Sequence, residues 1–187
     1  KDAEAQTWVA EEIDLSADVF SDLSDREQDY LKQLLAFFAI SDSIVLENLN
    51  ESLLMETGGL LEAQYYYGHQ TFIEQVHSNM YALLIDTYID DTKEQNKMYN
   101  AISEWATKWL DNDSFAHRLV AFSCVEGLAF SSTFAGIFYF RSRNKMSGLC
   151  EANELIMSDE NSHYEFALNM YHNYLEDEYK LSHDEIR

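Results

Sequence analysis

A chain of 187 residues, 47% of them hydrophobic, is long enough to bury a substantial core as one domain spanning 1–187. With no proline and six glycines, long uninterrupted helices are permitted and an all-α fold is the natural expectation. A formal charge of −22 argues against a nucleic-acid or anionic-membrane surface, because phosphate binding needs clustered lysine and arginine.

The opening stretch, Lys1 to Phe20, has no clear period and reads as an extended arm with short turns, pinned by one large anchor, Trp8. Ser24 and Glu27 then have capping-box spacing ahead of an apolar run. The stripe of this first helix is Leu31, Leu34, Leu35, Phe38, Asp42, Val45 and Leu49, so Asp42 occupies a core position. A bare aspartate there costs several kcal/mol unless it is neutralised, paired or bound to metal. After Gly58 and Gly59 a long helix is predicted from about Leu60 to Asp90, with Tyr67, Gln70, Glu74, His77, Tyr81, Leu84 and Tyr88 facing inward. That stripe is polar in the middle and apolar at both ends, the pattern of a polar chamber inside a hydrophobic bundle.

Asp91 and Glu94 offer another capping spacing, and the next helix, to about Leu110, carries Ile102, Trp105, Ala106 and Trp109 as an ordinary packing face. Asp113 or Ser114 can cap a fourth long helix that continues to about Arg143. One of its faces holds Leu119, Phe122, Glu126, Phe130, Phe134 and Ile137, so two phenylalanine rings wall off whatever Glu126 binds. Leu119 to Phe140 is long enough to span a bilayer, but Glu126 near its middle would cost about 2.5–3.5 kcal/mol on insertion scales. The centre of a large bundle suits such a helix better, and no membrane role is expected. Arg141, Arg143 and Lys145 read as a solvated cluster at the helix C-terminus. A fifth helix, about Leu149 to Leu175, puts Leu149, Ile156, Glu160, His163, Ala167 and Met170 on its inner face, and Ser182 with Glu185 repeats the capping-box spacing. Cys124 and Cys150 lie in separate apolar segments without CxxC spacing and are read as reduced, buried thiols of a cytosolic protein.

Glu74 and His77 are three residues apart on one helical face, and Tyr81 follows one turn later. A metal held by the pair would sit beside the Tyr81 ring. The same Glu-x-x-His spacing recurs at Glu160 and His163, and each pair is preceded by a lone carboxylate in an apolar run, Asp42 and Glu126. Four carboxylates and two imidazoles from four helices match the ligand inventory of dinuclear carboxylate bundles. Hard oxygen donors with one imidazole per ion suit iron or manganese better than zinc or copper, and four negative charges balance two divalent ions.

The segments WVAEEIDLS, LAFFAISDSIVLENL, YYYGHQ, IEQVHSNMYALLIDTYI, AFSCVEGLAFSSTFAGIFYF and NELIMSDENSH occur in an order that resembles the radical-generating small subunit of class I ribonucleotide reductase, from Trp8 to Tyr171. The resemblance implies a ferritin-like helical bundle with a four-helix dimetal core. It assigns Asp42, Glu74 and His77 to one ion and Glu126, Glu160 and His163 to the other, with iron as the first expectation and manganese or a mixed pair open. Tyr81 corresponds to the stable radical, and Phe130 and Phe134 to its protective pocket. Trp8, linked through Asp159 to His77, resembles the residue that passes an electron inward during cofactor assembly. The implied partners are a second copy of the chain and a separate large catalytic subunit that reduces ribonucleotides, with no nucleic acid bound and a cytoplasmic location. Two rivals share the ligand set: a ferritin-like oxidase acting on a small or fatty substrate, and a ferritin-type iron store. Three departures stand out. The segment between Asp42 and Glu74 is one residue longer than is usual, so a helix bulge or a shifted ligand is expected near Gly58 and Gly59. Ser158 stands where an arginine is common, and the family's C-terminal helices and tail lie beyond the matching segments.

Overall fold

Ser24 sets the first helix. Its hydroxyl accepts from the Glu27 N–H while the Glu27 carboxylate accepts from the Ser24 N–H at 2.8 Å, closing the predicted capping box. The Ser24 hydrogen bonds, with Lys145 alongside, hold the Glu27 carboxyl down at about 2. The computed structural model describes residues 7–57, 59–89 and 112–186. Helix α1, Asp25–Asn48, runs through a π turn at Leu49–Leu53 into α2, Leu54–Glu56. Helix α3 spans Leu61–Tyr88; α4, Phe115–Cys124, is joined by a π turn at Val125–Ala129 to α5, Phe130–Arg141. Helix α6, Ser147–Asn169, ends in a π turn at Met170–Tyr174, and one further turn, α7, spans His183–Ile186. Among the described residues there is no strand, and the fold is an all-α bundle. The predicted helix bearing Asp91, Glu94, Ile102, Trp105, Ala106 and Trp109 lies outside the described residues, as do Gly58 and Asp90.

Helix α1 packs along α3 and α5 along α6, which also touches α3 and the Val125–Ala129 turn. Burial in this bundle falls into two apolar layers. One gathers Leu31, Leu35, Phe38, Met80, Leu84, Phe130, Phe134, Ile137 and Ile156. The other gathers Val45, Leu49, Leu53, Tyr67, Leu119, Phe122, Ala167 and Met170. Each fully buried leucine or phenylalanine contributes roughly 1.5–3 kcal/mol. The inward polar residues fall between the layers on α1, on α3, at the turn joining α4 to α5 and on α6, so the polar chamber legible in the α3 stripe has an apolar floor and ceiling.

The fourth predicted helix is not uniform. Phe122, Glu126, Phe130 and Phe134 repeat every four residues, and over three steps that drifts about one residue from the 3.6-residue turn. The wider π turn at Val125–Ala129 absorbs the drift and keeps all four side chains buried. Phe115–Arg141 is apolar and long enough to cross a bilayer, yet its inward face is spent on these layers and Glu126 faces their polar interior. Ser114, rather than Asp113, supplies the cap, accepting from the His117 N–H.

The N-terminal arm is fastened to α6. The Asp18 carboxylate accepts from the Gly148 and Leu149 N–H groups at 2.9 and 2.8 Å and from the Tyr88 hydroxyl at 2.6 Å. It thereby caps a helix whose own preceding residue, Met146, is left-handed and offers no side-chain cap. Gly148 is required there, because a Cβ would stand 2.5 Å from the Asp14 carbonyl oxygen. Arg141, Arg143 and Lys145 are more than a solvated cluster. Arg141 pairs with Glu154, and Arg143 and Lys145 with Glu27, tying the α5–α6 corner to the start of α1. Cys124 and Cys150 are free thiols; Cys150 is buried as expected, but Cys124 is only partly so.

Candidate metal centre

Helical spacing brings the six singled-out groups together. His77 Nδ1 lies 3.0 Å from Glu160 Oε1, 3.3 Å from Glu74 Oε2 and 3.6 Å from Asp42 Oδ2. His163 Nδ1 lies 3.1 Å from Glu74 Oε1, 3.2 Å from Glu160 Oε2 and 3.9 Å from Glu126 Oε2. Two groups result, Asp42–Glu74–His77–Glu160 and Glu74–Glu126–Glu160–His163, each with its ligand atoms within 4.8 Å of one another. Glu74 and Glu160 belong to both, one oxygen turned to each imidazole. That sharing is not visible in sequence, where spacing pairs each glutamate only with the histidine three residues after it. The longer segment around Gly59 has not displaced a residue, since Asp42 and Glu74 both reach His77.

All six side chains are buried. Both oxygens of Asp42, both of Glu126, Glu74 Oε2, Glu160 Oε1 and His77 Nδ1 have no hydrogen-bond partner. An unsatisfied buried polar group costs about 1–3 kcal/mol, and more when charged, so a cluster of lone pairs aimed at one another calls for cations between them. The donor set fits two hard divalent ions.

Proton affinities record the same crowding. Burial, then the Glu160 and Glu74 charges, push the Asp42 carboxyl well above its usual range, and burial with Glu160 does the same to Glu126. Burial alone would lower both imidazoles. Asp159, Glu160 and Glu74 outweigh it at His77, and Glu74, Glu126 and Glu160 outweigh it at His163, so both are raised well above the ordinary value. Glu160 goes the other way: burial would raise it, but the neighbouring Glu126, His163 and His77 outweigh burial and lower it.

Tyr81 lies beside this cluster, 2% exposed, its hydroxyl without a partner and its proton affinity raised by burial and then by Asp42. Its ring stacks on Phe38 at 5.3 Å, and Phe38 in turn meets Phe134 at 5.0 Å and Phe130 at 5.5 Å. The sequence shows Phe38 as a core position but not as the ring against Tyr81; only the tertiary pairing of α1 with α3 identifies it. Trp8 Nε1 donates to Asp159 Oδ2 at 2.8 Å, and the same oxygen stands 3.1 Å from His77 Nε2. The indole and imidazole centroids are 6.0 Å apart. A buried carboxylate therefore joins the arm to the far nitrogen of the imidazole.

Two further residues stand near the centre without a role legible in the sequence. Gln70, one turn before Glu74, donates to Glu74 Oε1 at 3.3 Å; its four-residue spacing is the available signal. Tyr66 meets the other histidine edge-on, its centroid 6.5 Å from that of His163, and burial with the surrounding charges pushes its phenol up to about 12. Ser158 is exposed and lines, with Gly127, Ser131, Met157, Asn161 and Tyr164, a cleft of about 570 Å³ that reaches Glu126.

The family model described as "Ribonucleotide reductase, small chain" matches residues 1–187. The sequence is 47% identical over 178 residues to the ribonucleoside-diphosphate reductase small chain of Plasmodium falciparum (isolate Dd2), covering 89% of this chain and 51% of that protein. It is 44% identical over 199 residues to the small chain of Variola virus, covering 100% of this chain and 61% of the viral protein. Its fold is similar to that of the Rnr4 ribonucleotide reductase homodimer from Saccharomyces cerevisiae, with a TM-score of 0.78, 28% identity, and coverage of 100% of this chain and 62% of that one. The protein thus spans between about half and three fifths of the curated relatives it matches.

Proposed function

The chain belongs to the ribonucleotide reductase small-chain family, and on that footing we propose that it forms the dimetal, radical-generating part of that enzyme's small subunit. Two interlocked groups of buried carboxylates and imidazoles beside a dry phenol carry the reading. Asp42, Glu74 and His77 would hold one ion and Glu126, Glu160 and His163 the other, with Glu74 and Glu160 placed to be shared. When bound, the pair would supply the oxidising power of dioxygen chemistry one electron at a time. Iron is the first choice by donor type, with manganese or a mixed pair as the alternatives.

The protein's own residues do the rest. Asp159 fixes the His77 tautomer by accepting at Nε2, which leaves Nδ1 free for an ion. Trp8, hydrogen-bonded to that carboxylate, is placed to deliver an electron from the arm. Tyr81 gives up one electron and its phenolic proton, and the Phe38, Phe130 and Phe134 rings keep water and reductants away from the product. An iron store has no need of a buried Tyr81 or of the Trp8–Asp159–His77 line. By family, the radical serves a large catalytic subunit that reduces ribonucleotides to deoxyribonucleotides in the cytoplasm, and the working small subunit is a homodimer.

The test is electron paramagnetic resonance with metal quantification on protein loaded separately with iron and manganese under air. Wild type should bind two ions and show a tyrosyl signal. Tyr81→Phe should keep the ions and lose that long-lived signal. A stable signal unchanged by the substitution would place the radical elsewhere.

A further inference from the structure

We propose that Tyr66 is a second oxidisable phenol of this centre, placed to discharge the ions on the His163 side toward the surface when Tyr81 does not supply the electron. The inference rests on the dimetal reading above. Tyr66 lies on α3 eight residues before Glu74, about 80° round the helix from it, on the side that meets His163 and Phe166 of α6. Its ring stands at 88° to the His163 imidazole with centroids 6.5 Å apart, and it stacks on Phe166, one turn beyond His163, at 3.8 Å and 12°. The charges of Glu74, Glu126 and Glu160 all act on its phenol. The two groups of ligands are therefore flanked by one tyrosine each, Tyr81 on the His77 side and Tyr66 on the His163 side.

The surroundings of the two phenols differ in the one respect that decides lifetime. Tyr81 is sealed under Phe38, whereas Tyr66 is only partly buried. Its neighbour Tyr67 is fully buried in the apolar layer, edge-on to Phe166, and has no path to water. In the step proposed, dioxygen is the terminal oxidant. The Tyr66 O–H bond breaks, its electron goes to the oxidised ion pair, and its proton goes to water at the open edge of the α3–α6 contact. A neutral phenoxyl remains, exposed to solvent and small reductants and hence short-lived.

The experiment compares Y81F, Y81F/Y66F and Y81F/Y67F, each loaded with iron under air, with metal content measured, by freeze-quench electron paramagnetic resonance and by peptide mass spectrometry for hydroxylated tyrosine. Y81F and Y81F/Y67F should give a transient tyrosyl signal that decays faster than the wild-type one, with oxidation mapped to Tyr66. Y81F/Y66F should bind the same metal and lose both the signal and the modification. Phenylalanine at 66 keeps the stack on Phe166, so the loss reports the hydroxyl. Identical traces from Y81F and Y81F/Y66F, silent or not, would overturn the role of Tyr66 while a wild-type Tyr81 signal leaves the radical reading standing. A metal-loaded wild type with no signal from either tyrosine would overturn both.

Discussion

Loading the centre should expel protons, and their number follows from the structure. Asp42, Glu126, His77 and His163 each hold a proton more tightly than usual, because four carboxylates and two imidazoles are confined together away from water. Ions bind only the deprotonated forms. Between the usual values of these groups, 3.8 and 4.5 for the two acids and 6.5 for the imidazoles, and their raised ones, up to four protons leave as two divalent ions enter. Each proton makes binding about tenfold tighter per pH unit, roughly 1.4 kcal/mol; four make the product of the two binding constants rise by up to about 10⁴ per unit. The metal-free protein should show the opposite trend. A folded state that holds more protons than the unfolded chain loses stability as pH rises through this window. Anaerobic calorimetric titration with manganese(II), repeated in buffers of different ionisation enthalpy between about pH 6 and 8, counts the protons directly. Asp42→Asn should lower the count by one. Affinity that does not change with pH, or release of less than one proton per ion pair, would refute the reasoning.

Phe38→Ala should destabilise the protein by about 3–5 kcal/mol in urea titrations through the cavity it leaves, and should shorten the decay of any Tyr81 signal; a wild-type decay would mean that Phe38 does not shield the phenol. Asp159→Asn keeps an oxygen for the Trp8 indole but removes the charge facing His77 Nε2, so metal affinity should fall about 10–100-fold. Equal affinities by competition with a chelator would contradict that assignment. Asp18→Ala strips the cap from α6 and should cost about 1–2 kcal/mol, with the arm becoming the first site of limited proteolysis; an unchanged cleavage order would show that the arm is held by Trp8 alone.

Much of this arrangement could be read in the sequence because it is local. Leu31, Leu35, Phe38, Asp42, Val45 and Leu49 keep the 3.6-residue period, and Glu74, His77 and Tyr81 keep the three- and four-residue spacings that stack side chains on one face. An acid at a core position, as with Asp42 and Glu126, announces a partner before any partner is known. What stayed hidden depends on how helices meet. The sharing of Glu74 and Glu160 between two imidazoles, and the Phe38 ring on Tyr81, are set by α3 facing α6 and α1, and no spacing within one helix encodes them. The π turn at Val125–Ala129 did leave a trace, the strict four-residue repeat from Phe122 to Phe134. Asp18 left none, because the helix it caps begins 129 residues later, at Ser147.

That last separation bears on the order of assembly. The contact joining Trp8 to Asp159 closes a loop of 151 residues, and those from Asp18 to Gly148 and Leu149 close loops of 130 and 131. Contacts so distant along the sequence cannot form until α6 exists and has found its place, and they add to the search that slows folding. The arm is therefore among the last parts to dock, and its link to Asp159 becomes whole only after the chamber beside it is already in shape.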